Sequence, residues 1–501
     1  MRGYRHFLAL LLIMAVAAPV LAQGGACAAP LDFQIGDRAR VRFTDGTGNR
    51  LRSQPTTSGS VLAIAPEGSE FTIVGGPTCA DGYNWWQVSL ITQSATGWMA
   101  EGMPGNYWIE PALVANAEEA VTGSTGGHES QTAGLPGPPG ALPVGVQRLR
   151  LTTLDLDGTL GVYESGSGWR MLSRLDEDAS LPALSPDGGR VAAAAGGRVY
   201  VLDAGSGATL QSFDWPQVTG NTALAAEWVA WTADGSGLLV TVSERNASGF
   251  PRSALYRVDP NTLAVTELLP LSDAFSLQGP PGEPPQVIVT PDRVIELPSS
   301  DKAVPVVVHS FDPAPTFGGQ PYIPRLSWLT GGAAYYVIVP QQAGSSIDLV
   351  AWQLTPGGVA VEVLRVPDVN GTGEGLVSPS GRYLAVSYWA DNAVRVYDLA
   401  AQEAERVFDG LTTLYGWTPD SSGFIAAAPP GPLTYHGLNG DTTSAYLPDV
   451  PALRSIFWLR DGTAIFRHVV SGGTELGVMR PGAMPFAVRN GADPGSAVLL
   501  P

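Results

Sequence analysis

The sequence predicts an all-β protein of two unequal domains, and three observations carry that reading. Gly and Pro are abundant, at 61 and 42 residues, which favours turns and short strands over long helices. Short apolar or alternating runs, bounded by turn dipeptides, follow one another along most of the chain. One turn signature then recurs at near-regular spacing from residue 185 to residue 461.

The first element is a leader. Arg2 and Arg5 precede an unbroken apolar run at 7–16, and Val20-Leu21-Ala22 places small residues at the usual cleavage positions. This is the pattern of a secretory signal peptide spanning 1–22. The apolar run falls short of the roughly 20 residues that cross a bilayer, so no transmembrane span is expected after cleavage. The mature chain is expected to be secreted or to reside in the extracytoplasmic cell envelope. Without Arg2 and Arg5 it carries 26 basic against 46 acidic residues, a net charge of about −20. Such a surface repels phosphate backbones, which argues against nucleic acid as a partner.

Cys27 and Cys79 are the two cysteines, and both lie in the exported part. Outside the cytoplasm such a pair is most simply a disulfide. The alternative, lipidation of Cys27, meets Gly24-Gly25-Ala26 where a leucine-type lipobox would stand.

Residues 31–113 read as short strands between the turns Gly36-Asp37, Asp45-Gly46, Ser58-Gly59, Glu67-Gly68, Gly75-Gly76 and Asp81-Gly82. Within them GNRLRSQPTTSGSVLAIAPEGSEFTIVGG at 48–76, WWQV at 85–88 and TGWMAEG at 96–102 together resemble a bacterial SH3 domain. Arg52, Pro55, Gly68, Trp85, Val88, Gly97 and Trp98 stand at that family's places. Arg50 replaces the usual Asn, Met99 replaces a Val, and the closing Tyr-Leu has no counterpart. The resemblance implies a small SH3-like barrel that holds cell-wall or peptide ligands. Trp86 shares a strand face with Val88 and is expected in the core, whereas Trp85 shares its face with Gln87. Tyr83, Trp85 and Trp108 are therefore the expected lining of a ligand groove.

Residues 114–145 are rich in Gly, Ser, Thr and Pro and poor in large apolar residues. Such a stretch buries too little surface to offset the entropy of ordering and is expected to be a flexible linker.

From residue 146 to 501 the recurring turn organises the chain. SPDGGRVAAAA at 185–195 and WTADGSGLLVTV at 231–242 show it, as do SPSGRYLAVSY at 378–388, WTPDSSGFIAAA at 417–428 and WLRDGTAIFRHV at 458–469. Weaker copies are TPDRVIEL at 290–297 and WLTGGAAYYVIV at 328–339. A unit in the forties of residues with about four short strands is what a β-propeller requires, since each sheet buries its faces only against its neighbours. Seven copies predict seven blades, with six or eight as alternatives. The leading segment RLRLTTLDLDGTLGVYESG at 148–166 lacks the turn and is expected to supply outer strands that close the ring against the C-terminus. The turn, the aliphatic strand and the following Y-V-x-D strand resemble TolB-like and WD40-like repeats, although the G-H and W-D dipeptides of true WD40 repeats are absent.

No G-x-S-x-G nucleophile elbow occurs, and the histidines at 128, 309, 436 and 468 have no metal-ligand spacing. The recurring Asp187, Asp234, Asp292, Asp420 and Asp461 suggest either a ring of carboxylates or turn residues that accept backbone N–H bonds, and the turn role is the expected one. At 368–374, Asp368, Asn370 and Thr372 alternate like the first ligands of a calcium loop, but Pro379 occupies the twelfth position, where such a loop has Glu. An Asn-Gly turn is the simpler reading, and no cofactor other than this calcium ion is suggested. The strands after the turns (AAAA, LLVTV, YYVIV, YLAVSY, FIAAA) are taken as the inner strands, and they carry no charge. The function expected is that of an exported, non-enzymatic binding or scaffold protein, with the propeller engaging a protein or glycan. The alternatives are a propeller hydrolase or lactonase with a central carboxylate or calcium site, and a structural role in an envelope complex.

Overall fold

The computed structural model describes residues 27–500 apart from a set of segments, the longest being 42–48, 120–134, 139–146, 245–251, 298–303 and 439–452. The signal segment lies outside the described residues. All but one of the described elements are strands, the exception being a short helix at Trp215–Thr219.

The N-terminal strands are β1 (Arg38–Val41), β2 (Asn49–Arg52), β3 (Val61–Ala65), β4 (Glu70–Ala80), β5 (Tyr83–Leu90) and β6 (Thr96–Ala100). With Ile109–Pro111 they form one antiparallel sheet in the order β3-β2-β6-β5-β4-β1, with Ile109–Pro111 beyond β1. The sheet is curled into a half-barrel around Val41, Leu51, Phe71, Ile73, Trp86, Val88, Met99 and Ile109. Asp81 and Gly82 join β4 to β5 with φ of 54° and 80°, the left-handed pair that a two-residue hairpin needs. Cys27 and Cys79 are joined in a disulfide with their Cα atoms 5.8 Å apart, which ties the start of the described chain to β4.

Among the described residues the larger domain is a ring of eight blade sheets, with one additional two-stranded ribbon at 316–321. Blade 1 combines Arg148–Asp155, Thr159–Glu164 and Gly168–Arg174 with the C-terminal strand Ala492–Leu500. Blades 2 to 8 then follow in chain order at 183–214, 224–272, 276–310, 326–366, 372–409, 413–437 and 453–490. A separate apolar cluster fills each junction: Leu160 and Val191 between blades 1 and 2, Val199 and Trp231 between 2 and 3, Leu255 and Ile288 between 3 and 4, Val287 and Val337 between 4 and 5. Ile338 and Val386, Leu376 and Phe424, and Ile425 and Phe466 continue the series. Leu476 and Leu151 complete it between blades 8 and 1.

The blade count is thus eight where the seven turn copies predicted seven. The closing sheet has no copy of the turn, because its inner strand comes from the far end of the chain. Leu149 pairs with Leu499 and Leu151 with Ala497, so 148–166 closes the ring against the C-terminus as expected. It does so as the two middle strands of the sheet, however, the outermost being Gly168–Arg174.

A second expectation is corrected. Where the turn follows a blade's first strand, that first strand is the inner one: the first strands of neighbouring blades lie against each other, at 183–184 and 224–231 and again at 326–328, 372–377 and 413–417. In blades 2, 3, 5, 6 and 7 the aliphatic strand after the turn is second in its sheet, between two others, which is why it is largely buried. In blade 4 the turn at 290–292 falls between the second and third strands.

Within the stretch 114–145 expected as a linker, Val114, 117–119 and 135–138 are described. Ala117–Glu119 is a strand paired with the first strand of blade 8, Glu118 opposite Ile456, and 135–138 lie against the same blade. The Leu135 N–H donates to Glu475 (2.8 Å), the carbonyl of Pro136 accepts from the Ala487 N–H (2.8 Å), and Leu135 packs on the cluster containing Phe466. The two domains also touch through a buried polar contact. Arg467 of blade 8 lies 3.9 Å from Asp37 and 2.7 Å from Asp493 of blade 1.

Candidate functional site

The repeated turn is a structural device. In blade 7 the Thr418 hydroxyl donates to Asp420 (2.8 Å), and Asp420 accepts the Ser422 N–H (3.0 Å). Thr290 and Asp292 form the same side-chain pair at 2.7 Å, and Ser378 with Ser380 reproduces it without a carboxylate at 3.0 Å. A hydrogen bond from Ser185, foremost, holds the Asp187 carboxyl below its ordinary value. These acids are committed to the turns that carry them. The Trp preceding the turn acts across the junction: Trp231 donates its indole N–H to the carbonyl of Ala183 (3.0 Å), and Trp417 to that of Leu376 (2.8 Å).

Of the residues expected to bind calcium, Asp368 and Asn370 lie outside the described residues, and Thr372 begins the inner strand of blade 6. Among the described residues no group of three or more His, Cys, Asp or Glu side chains is arranged to hold a metal.

The three aromatics expected to line a groove do meet. Tyr83 lies 5.5 Å from Trp108 between ring centroids and 6.4 Å, edge-on, from Trp85. Their exposures differ, however. Trp86 is 2% exposed in the core as expected, but Trp85 is equally buried at 2%, which corrects its placement as a groove residue. The register of β4 against β5 shifts between Gly75 and Thr78, where a Cβ on Gly76 would stand 2.8 Å from the Trp85 carbonyl oxygen. The bulge curls the hairpin, and the Trp85 indole folds back to donate to the Ala80 carbonyl (2.9 Å) under Tyr83. Tyr83 and Trp108 are both half-buried, with their rings in contact.

Glu101 beneath them was not singled out by the sequence. It is 1% exposed and accepts from the Trp86 indole (2.8 Å), the Asn84 amide (2.8 Å) and the Leu31 N–H (3.0 Å). It therefore anchors the segment that follows the disulfide.

A second candidate surface was also missed. At the rim between blades 4 and 5, a cleft of about 220 Å³ is lined by His309, Phe311, Asp312, Pro313, Gln341 and Trp352, among others. The His309 ring lies 4.8 Å from Phe311 and 5.0 Å from Trp352, and burial lowers its pKa. An apolar, aromatic wall with a few convergent polar groups is the usual make-up of a small binding pocket. The sequence signal was FDPAP at 311–315, directly after a strand.

No family model matches the chain, and no curated protein matches it. Solved structures with detectable likeness are β-propellers among others. TolB from Acinetobacter baumannii is 12% identical, with a TM-score of 0.29, covering 71% of this chain and 67% of that one. The Swd1 β-propeller domain from Myceliophthora thermophila is 12% identical at TM-score 0.32, covering 60% and 96%. The dihydro-haem d1 dehydrogenase NirN is 14% identical at TM-score 0.44, covering 73% and 79%. None of these bears on what this chain binds or does.

Proposed function

We propose that the protein is an exported binding platform, in which an SH3b-like N-terminal domain is joined to an eight-bladed propeller that holds a protein partner. The observation that carries this reading is the aromatic and proline-lined cleft of about 220 Å³ at His309 and Trp352, between blades 4 and 5. The disulfide between Cys27 and Cys79 supports an extracytoplasmic location. Tyr83 and Trp108 support a peptide or cell-wall contact by the first domain, in line with the resemblance of 48–102 to bacterial SH3 domains. Arg467, held between Asp37 and Asp493, supports a platform in which the two domains act together.

The test is affinity purification of the full chain from its native cells, alongside Trp352→Ala and Trp108→Ala variants. A stoichiometric partner lost from the Trp352→Ala protein is expected, with any cell-wall retention lost from Trp108→Ala. Recovery of the full chain alone, with no partner at any salt concentration, would sink the platform reading.

A further inference from the structure

Sheet edges are hazards, and proteins usually charge, bulge or cover them. In this ring every four-stranded blade has a register shift between its third and fourth strands. Bulging is therefore common to them all and does not set one blade apart. Charge does. The outermost strands carry Arg170 in blade 1, Asp214 in blade 2, Glu267 in blade 3, Glu362 and Arg365 in blade 5, Arg406 in blade 6 and Arg489 in blade 8. Among the blades described to a fourth strand, blade 4 alone has an outermost strand, Val306–Ser310 (VVVHS), with no charged residue. Blade 7 is described to its third strand, Thr434–Gly437, which is uncharged as well.

That strand is also open. Val306 and Val307 are 52% and 49% exposed, and Val304 just before them is 73% exposed. Its inner side pairs with Arg293–Glu296, and its outer side has no strand partner among the described residues. The strand runs directly into the cleft, because His309 and Ser310 are cleft residues as well as strand residues. Asp312 is exposed and is the charged group of that lining. A chain-wide net charge of −18 adds to its field.

We propose that the edge of blade 4 and the adjoining cleft form one site for an extended segment of a partner protein. The segment adds as a further strand along Val306–Ser310, seats an apolar side chain against Trp352 and His309, and places a Lys or Arg beside Asp312. Main-chain hydrogen bonds to an open edge supply affinity in this mode of recognition, and the side-chain pocket supplies selectivity. This deepens the platform reading by naming the surface and the partner's chemistry, and it rests on that reading.

A displayed random-peptide library selected on the full chain tests the site, with the enriched peptides synthesised and measured by fluorescence anisotropy. Enriched sequences are expected to alternate apolar residues with Arg or Lys. Val307→Arg, an exposed position that tolerates a long side chain, and Trp352→Ala are each expected to weaken binding by about tenfold or more. Asp312→Asn is expected to weaken it less and to reduce its salt dependence. Peptides that bind Val307→Arg as tightly as wild type overturn the site, and so does a library that yields no enriched peptide. A glycan ligand that depends on Trp352 but not on Val307 overturns it too. The two readings fail separately. A native partner that co-purifies equally with wild type and Val307→Arg removes this site and leaves the platform, whereas absence of any native partner removes the platform.

Discussion

At the scale of single residues, Glu101 is the most constrained group in the smaller domain. One carboxylate serves three donors from separate stretches of chain, and burial raises its pKa ahead of the opposing hydrogen bonds from Asn84, Trp86 and Leu31. The folded pKa stands above the ordinary 4.5, so the folded state holds this proton more tightly than the unfolded chain does. Its contribution to stability is fully present below 4.5 and declines as pH rises through the folded value. Glu101→Gln is expected to cost about 1–3 kcal/mol at neutral pH, because an amide NH₂ then faces donors. The gap between the two proteins is expected to widen as pH falls towards 4.5, in denaturant titrations followed by tryptophan fluorescence. A gap that narrows instead would show that the hydrogen bonds outweigh burial. Little of this was legible in the sequence. Strand alternation places Trp86 correctly, but it assumes a flat sheet, and the bulge at Gly75–Thr78 roofs the face on which Trp85 lies. Glu101 looks like any acid in a turn until its three donors are seen to come from residues 31, 84 and 86.

At the scale of elements, the working unit is a turn with a tryptophan before it. The Thr or Ser and the Asp lock the turn, and in blades 3 and 7 the indole reaches back to the inner strand of the preceding blade. Trp417→Phe keeps most of the packing but leaves the Leu376 carbonyl without its donor, at an expected cost of about 1–3 kcal/mol. Trp231→Phe should behave alike through Ala183. Thermal unfolding compared across both variants measures this, and wild-type stability in both would leave the indole bonds without a role. The turn was readable because its residue types follow from backbone geometry at a fixed place in each repeat. Which flanking strand lies inside was not readable, since strands on both sides of the turn are rich in buried apolar residues and their neighbours come from the next blade. His309 was equally silent, because the ring that buries it, Trp352, comes from the next blade.

At the scale of the whole molecule, the repeats revealed a ring but undercounted it by the one blade built from both ends of the chain. Removing residues 492–501 takes the inner strand from blade 1 and uncovers Leu149 and Leu151, both fully buried in the intact ring. The truncated protein is expected to be aggregated or expanded in size-exclusion chromatography, and a monodisperse species of normal circular dichroism would contradict the closure described. The disulfide is a separate restraint, spanning 52 residues. Its reduction is expected to destabilise the N-terminal half-barrel by about 2–4 kcal/mol, with little change in the propeller. Unfolding monitored with and without reductant should therefore resolve an early transition that moves and a later one that does not.

The seam in blade 1 also sets a clock on biosynthesis. Thr152 meets Ser496 across a sequence separation of 344, and a ribosome adding about 5–20 residues per second takes roughly 20–70 s to cover that distance. For that interval the strands at 148–174 exist without the partner that completes their sheet. The half-barrel has no such wait, because its last paired strand ends at Pro111.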